Sequence, residues 1–446
     1  MKSITFLKRF LIKIITPERY RWYKHIKQMQ YCPQEQLLEF QKNLLFNILK
    51  YSSENVPYYS EIIKKNKINI SRESIFDVIK RFPILTKKDI RDNFDLLIAR
   101  NFKGKFKKNT SGGSTGEPII LLQDYDFNEK GAAVKYIFEE WAGGGLCEKL
   151  VKLWGSERDI LEGTIGFKAK ISNFLHSRKF LNAFKMSEQD MFEFVKIINE
   201  FKPKVIEAYV QSIYELARFI DRNNLEIHSP NGIIVSAGVL YDDVKDFIKR
   251  IFKTKILNRY GSREVGDIAC SCDKDNGLHI NIFNHYVEIL NEHLEPCKAG
   301  ELGSIYITTL HNKVMPLIRY KIEDMAIVND RSICDCGRGM PIVIKNVKGR
   351  MVNIFKTKNG TLIDGEYFTH LFYFKDWVKK FQVIQKDYNL IEIKVVGQEN
   401  SKDIQEINNA IQKVMGQDCK INWYFVDEIE PAKSGKFLYT ISYLEK

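Results

Sequence analysis

Residues 109–118 read Asn-Thr-Ser-Gly-Gly-Ser-Thr-Gly-Glu-Pro, with three glycines and four hydroxyl side chains in ten residues. A backbone with so little bulk turns sharply and presents its N–H groups to an anion, and hydroxyls at Ser111, Ser114 and Thr115 add donors. Ser111, Gly112, Gly113, Ser114, Thr115 and Gly116 are therefore candidates for a phosphate cradle. The lysine-bearing P-loop pattern is absent, because Glu117 and Pro118 follow Gly116, and no dinucleotide fingerprint occurs here. A flexible surface turn is the competing reading.

Further along, Tyr260-Gly261-Ser262-Arg263-Glu264 offers an aromatic to stack on a base, a guanidinium for phosphate and a carboxylate for Mg²⁺. Asp324 could accept hydrogen bonds from ribose hydroxyls. Pro431-Ala432-Lys433-Ser434-Gly435-Lys436 puts a lysine after a glycine turn near the C-terminus. Cys270-x-Cys272 and Cys334-x-Cys336 form two close thiol pairs with His279 between them. Four soft ligands closing a tetrahedral shell suit a structural Zn²⁺, and reduced buried thiols are the alternative. No G-x-S-x-G elbow supports a hydrolase triad for the remaining histidines.

These residues need a scaffold. The chain of 446 residues exceeds one core, at ~100–200 residues per domain. Residues 35–100 read as helices broken by turns, and Ile119–Leu122 as a buried strand. From 205 to 259 short apolar runs alternate with helices: strands at Val205–Tyr209, Gly232–Ser236 and Lys255–Arg259, helices at Ile213–Asp221 and Asp242–Phe252. That rhythm predicts an α/β fold with a partly parallel sheet, whose ligands collect at the carboxyl ends of strands. Two loops fall there, Ser236-Ala237-Gly238 and the 260–264 segment. Residues 285–330 read as β-rich. A boundary is expected near 346–353, followed by a small α+β domain with strands at 378–384, 390–396 and 420–426 and a helix at 403–415.

Apolar residues at 44% and charged residues at 28% describe an ordinary globular protein, with no run approaching the ~18 apolar residues of a membrane span. Eight cysteines are too few for a disulfide scaffold in a chain this long, so a reducing cytoplasm is expected. The net charge of +13 is concentrated: residues 1–30 hold eight Lys/Arg against one Glu. Within them Ile4, Leu7, Leu11, Ile14 and Ile15 recur at helical spacing, with Arg9 and Lys13 opposite. Such a helix either lies on the anionic inner face of a membrane through residues 1–16 or docks on its own domain. No nucleic-acid partner is expected, since no aromatic stripe or binding motif accompanies the basic residues.

In this order the motifs resemble the adenylate-forming superfamily, which contains acyl-CoA synthetases, luciferases and peptide-synthetase adenylation domains. The chain is most similar to its phenylacetate–CoA ligase branch, and within it to capsular polysaccharide biosynthesis (CapK-like) proteins. Asn55-Val56-Pro57-Tyr58-Tyr59 and Phe82-Pro83-Ile84-Leu85-Thr86-Lys87 look like that branch's N-terminal signatures. The resemblance implies a large N-terminal adenylate-forming domain (35–348) with mixed sheets and a β-rich subdomain. A basic amphipathic segment (1–34) would precede it and a small mobile α+β domain (349–446) follow. It also implies roles. Ser111 to Gly116 would hold the ATP phosphates. Ser236, Ala237 and Gly238 would form part of the adenine wall. Tyr260 would cover the adenine, with Gly261 and Ser262 beside it. Glu264 would bind Mg²⁺ and Asp324 the ribose. Arg350 would open the C-terminal domain, and Lys436 would assist adenylation. For zinc it favours Cys272, His279, Cys334 and Cys336, with Cys270 competing for the fourth place.

The departures from the family pattern are Arg263 in place of a common threonine, Glu117 in place of a common lysine, and Met351-Val352-Asn353 in place of an acidic pair. The implied activity is ATP-dependent carboxylate ligation through an acyl-adenylate. The partners would be ATP, Mg²⁺ and a small carboxylic acid, with CoA, an amino sugar or a carrier-protein thiol as acceptor. A non-catalytic assembly partner of a polysaccharide pathway is the rival of another class. The presence of Glu264, Asp324 and Lys436 together argues against it.

Overall fold

The computed structural model describes residues 2–110, 119–154, 167–183, 186 and 188–350. Beyond them it describes 354–358, 362–364, 367–368, 371–372, 375, 377–430 and 438–444. The candidate phosphate loop 111–118, the segment 351–353 and Lys436 lie outside the described residues. Two compact units are present. The larger comprises residues 1–111, 119–322 and 326–347, the smaller 348–446 with 323–325.

Helix α1 (Lys2–Ile15) and helix α2 (Pro17–Met29) open the larger unit. Pro17, which lacks an N–H, occupies the first turn of α2, where that donor has no helical partner. The segment Thr86-Lys87-Lys88-Asp89 closes a capping box: the Thr86 hydroxyl accepts from the Asp89 N–H at 3.2 Å and the Asp89 carboxylate accepts from the Thr86 N–H at 2.8 Å.

Strands β1 (Phe106–Thr110) and β2 (Ile120–Asp124) form an antiparallel hairpin of their own, with Thr110 opposite Ile120. The main sheet has eleven strands. Its parallel half contains β3 (Leu150–Trp154), β4 (Arg178–Asn182), β5 (Val205–Tyr209) and β6 (Gly232–Ser236). Strand β7 (Lys255–Ser262) joins the two halves. Its first part pairs parallel with β6 and its second part antiparallel with β8 (Gly266–Ser271). The antiparallel half continues through β9 (Leu278–Ile280), β10 (His285–Leu290), β11 (Leu302–Thr309), β12 (Tyr320–Val328) and β13 (Ile344–Arg350). The central parallel strands are mostly buried, β6 throughout, as expected for a sheet covered on both faces, whereas the edge strand β4 buries only Leu181. This is the mixed α/β architecture that the sequence predicts.

The 260–264 segment differs from its sequence reading. It is not a free loop. β7 runs through Ser262, and its register shifts between Tyr260 and Gly261. A Cβ at Gly261 would sit 2.6 Å from the Gly266 oxygen, so only glycine permits the bulged strand to lie this close to its neighbour.

In the smaller unit β14 (Ile354–Lys356) pairs with β15 (Leu362–Asp364). Strands β16 (Val378–Asp387), β17 (Leu390–Gly397), β18 (Lys420–Phe425) and β19 (Thr440–Ser442) make a sheet of order β18-β17-β16-β19. The helix Ser401–Met415 begins where the Asn400 side chain accepts from the Asp403 N–H. It buries Ile407, Ile411 and Met415 against Val383, Ile391, Ile393 and Phe381.

Candidate functional site

Ser236, Tyr209 and Trp154 end strands β6, β5 and β3, so they share the carboxyl edge of the parallel sheet. Tyr209 is the register partner of Ser236, and the Trp154 and Tyr209 rings lie 4.2 Å apart between centroids. Ala237 follows at φ 60°, a left-handed conformation rare outside glycine, and leads into Gly238. Ala237 and Gly238 are exposed, whereas Tyr260 and Glu264 are buried at 9% and 5% exposure and Arg263 is exposed. One residue before Tyr260, Arg259 is buried and its guanidinium stands over Trp154 at 5.7 Å.

What holds the 263–264 turn is the β1–β2 hairpin. The Gln123 amide donates to the carbonyls of Arg263 at 3.1 Å and Glu264 at 3.0 Å. Asn109 donates to the Arg263 carbonyl at 2.8 Å and to Gln123 Oε1 at 3.2 Å. These two amides stand at the two ends of the 111–118 connection. The hairpin is fixed in turn from below: Asp124 accepts from the N–H groups of Phe127 at 2.8 Å and Lys313 at 2.6 Å. Asn109 and Gln123 were not singled out in the sequence. Asn109 heads the glycine-rich motif, but its partner lies 154 residues away.

Under this edge lies a buried charge cluster. Glu207 on β5 is fully buried between Lys152 on β3 at 2.6 Å and Arg259 on β7 at 3.1 Å, and Arg259 also faces Asp267 at 3.6 Å. Burial opposes ionisation of Glu207, but Lys152 and Arg259 outweigh it and hold its carboxyl well below the usual range. Arg259 is thereby clamped from two sides, and it fixes the strand at the residue next to Tyr260.

Asp324 lies half-buried in β12, directly after Glu323 at φ 68°, a non-glycine residue in the left-handed region inside a strand. Arg350 closes β13. In the smaller unit the 431–437 segment, with Lys436, has described stems. Lys380 donates to the Ile429 carbonyl at 2.6 Å and Gln382 to the Leu438 carbonyl at 2.9 Å, both from β16. Sequence patterning gave no signal for these two residues.

A second cluster brings together Cys272, His279, Cys334 and Cys336, whose donor atoms all lie within 4.8 Å of one another. Cys272 Sγ is 3.5 Å from Cys334 Sγ, and Cys336 Sγ is 3.4 Å from His279 Nε2. A tetrahedral Zn²⁺ with ~2.3 Å bonds to sulfur and ~2.0 Å to nitrogen requires ligand separations of this size. His279 Nδ1 lies 2.8 Å from the Met340 carbonyl, so an Nδ1–H donated there turns the Nε2 lone pair to the thiols. Burial disfavours the charged forms, but the thiol contacts raise the His279 pKa to about 9 and the imidazole contact lowers that of Cys336 to about 6. Cys270 is not among the four. It stays in the β7–β8–β9 ladder between Arg259 and His279, two residues or ~7 Å along the strand from Cys272, where the chain turns out toward the 334–336 loop.

Comparison with known proteins bears on this arrangement. Residues 355–443 match the CapK C-terminal domain. Protein CapK of Staphylococcus aureus is 27% identical over 443 residues, covering 96% of this chain and 94% of that protein. A phenylacetate-coenzyme A ligase of Thermus thermophilus is 23% identical over 319 residues, 70% of each. By these similarities the chain resembles the adenylate-forming superfamily. Within it the chain is similar to CapK and to phenylacetate–coenzyme A ligases. The fold agrees: a crystal structure of 2-hydroxyisobutyryl-CoA ligase in the postadenylation state, in complex with R3-HIB-AMP, superimposes with a TM-score of 0.72. It is 14% identical and covers 93% of this chain and 91% of that one.

Proposed function

We propose that this adenylate-forming protein is an ATP-dependent ligase. It activates a small carboxylic acid as an acyl-adenylate and passes the acyl group to CoA or to an amine. The reading rests on the 263–264 turn held against the stems of the glycine-rich connection by Asn109 and Gln123. A carboxylate oxygen attacks the α-phosphorus of ATP and pyrophosphate leaves. The acceptor's sulfur or nitrogen then attacks the acyl carbon, AMP leaves, and the acceptor's proton is released.

Chemistry of this kind depends on positioning and charge neutralisation. Donors from 111–116 would cradle the phosphates. Tyr260, with Ser236, Ala237 and Gly238, would bound the adenine, and Asp324 would bind the ribose. Glu264 would hold Mg²⁺, which neutralises phosphate charge. Arg263, which is exposed, and Lys436 would supply positive charge to the reacting phosphate, and Arg350 would mark the hinge of the C-terminal domain. Cys272, His279, Cys334 and Cys336 would hold a Zn²⁺ whose four protein ligands leave no place for water, so its role is structural.

The resemblance to capsule-biosynthesis proteins supports a place in bacterial cell-surface polysaccharide assembly, where an amino sugar would serve as the amine. ATP–pyrophosphate exchange across a panel of carboxylic acids, followed by AMP release with CoA or amino sugars added, tests the reading. Exchange with no acid in the panel would count against it, and exchange without transfer to either acceptor would point to a carrier thiol.

A further inference from the structure

Helix α1 docks on its own unit through one face and leaves an apolar face exposed. Arg9 and Lys13 do not simply oppose a docked apolar stripe. The helix packs on its own unit through Ile12 and Lys8, which are 2% and 9% exposed. Lys8 donates to Ser177 Oγ at 2.9 Å and stands over the Phe174 ring at 4.2 Å. Arg9 donates to the Leu146 carbonyl at 2.9 Å and pairs with Glu148 at 3.3 Å. At 100° per residue, Phe6, Leu7, Phe10 and Ile14 share an arc of about 100° on the side away from Ile12. All four are exposed, Phe6 by 74% and Ile14 by 59%.

The surface does not end with α1. The helix Phe167–Leu175 lies beside it, joined through Lys8, and exposes Phe174 by 67% and Ile171 by 44%. Nothing in the sequence pattern tied this second helix to the first. Within the two segments the charge has one sign; Lys8 is buried and Arg9 and Arg178 pair with Glu148 and Glu139, while Lys13 and Lys179 are exposed. Residues 2–16 and 167–183 carry four Lys/Arg each and no Asp or Glu. Lys13 at the edge of the arc is exposed. No helix among the described residues is long and apolar enough to cross a membrane.

We infer that Phe6, Leu7, Phe10 and Ile14 of α1, with Ile171 and Phe174 of the neighbouring helix, form a surface that seats on the interfacial region of an anionic lipid bilayer. Two large apolar side-chain sets would enter the headgroup boundary while the exposed lysines face acidic headgroups, the two signals that reversible membrane binding needs. A second copy of this chain would bring the same cationic segments against each other, whereas an acidic lipid surface complements them. The inference does not depend on the proposed ligase activity.

Flotation of the full-length protein with phosphatidylcholine vesicles, with and without phosphatidylglycerol, tests it. Binding is expected to the anionic vesicles, weak to the neutral ones, and reduced by salt. Phe6→Ser with Phe10→Ser, and separately Phe174→Ser, should each lower the partition by about tenfold, because the exposed rings support no core. Flotation of these variants equal to that of the parent would overturn the inference, as would absence of binding to anionic vesicles. Sedimentation velocity in the absence of lipid gives an independent reading. A concentration-dependent dimer abolished by the same substitutions would assign the surface to self-association instead. Pyrophosphate exchange should be the same in parent and variants, so failure of the ligase reading would be separately visible.

Discussion

Gln123 spans two consecutive carbonyls, reaching the Arg263 oxygen at 3.1 Å and the Glu264 oxygen at 3.0 Å from one side-chain nitrogen. A buried amide that binds backbone rather than a side chain fixes a turn whatever its neighbours do. Gln123→Leu removes both bonds, which leaves the Glu264 carbonyl without this donor and the Arg263 carbonyl held by Asn109 alone. We expect adenylation, read by pyrophosphate exchange, to fall by about tenfold to a hundredfold with the fold retained, since misplacement near 1 Å is enough for such losses. An unchanged exchange rate would show that the turn holds itself.

Lys436 lies on a connection whose two stems are tied to adjacent same-side positions of β16 by Lys380 and Gln382. Lys436→Ala is expected to reduce acyl-adenylate formation by at least ~10²-fold, the size of loss seen when one preorganised charge-stabilising group is removed. Thermal unfolding should be unaltered. Lys380→Met should cause a smaller loss, because it loosens one stem and leaves the lysine in place. Equal losses in both variants would mean that the segment, rather than the Lys436 charge, carries the effect.

How much of this was visible in the sequence follows from the range over which each signal acts. The strands and helices between 205 and 259 were legible because hydrophobic period and turn chemistry are local, and the helix Asp242–Phe252 begins and ends where the sequence predicts. Asn109 and Gln123 were not, because their targets lie 154 and 140 residues away and only the hairpin register aligns them. The same limit hid Lys380 and Gln382. For α1 the periodicity placed Leu7 and Ile14 on one apolar face but missed Phe6 and Phe10, which share the exposed arc with them. Which face packs depended on Ser177, Leu146 and Phe174, all supplied from elsewhere in the chain. At the thiol cluster, spacing left Cys270 open, and the turn after β8 removed it.

Zinc content provides a prediction of its own. Purified protein should carry about one Zn per chain, and Cys334→Ser with Cys336→Ser should remove it. The variant is expected to unfold more readily, since the β9 turn and the 334–340 loop would then be joined by hydrogen bonds alone and a structural site contributes directly to folding. Metal-free protein of undiminished stability would leave the four residues as a thiol cluster only.

The Glu207 cluster predicts an asymmetry between single and double replacements. Glu207→Ala strands Lys152 and Arg259 in the interior without their common partner. A loss of about 3–5 kcal/mol in unfolding free energy is expected. Replacing Glu207 and Lys152 together by leucine and methionine should recover part of it, because the uncompensated lysine is gone. A double variant no more stable than the single one would show that Arg259 alone governs the penalty.

His311 supplies the pH dependence. Its ring is buried; Nε2 lies 2.8 Å from the Phe283 carbonyl and Nδ1 3.1 Å from Lys130 Nζ. A neutral ring meets both, donating from Nε2 and accepting at Nδ1. Burial first, and then the Lys130 cation, push its pKa down to about 3, and burial takes that of His285 to about 4. The unfolded chain binds these protons near pH 6.5 and the folded chain does not. Their contribution is therefore complete above pH 6.5 and is lost as the pH falls toward the folded values. At pH 5 the loss is about 2 kcal/mol for each histidine. Urea unfolding at pH 5.0 and 7.5 should show the larger unit weakened at the acid end. His311→Gln should flatten that dependence even if it lowers stability at neutral pH. A parent slope unchanged by the substitution would mean that His311 is protonated in the fold, and that Lys130 has turned away from it.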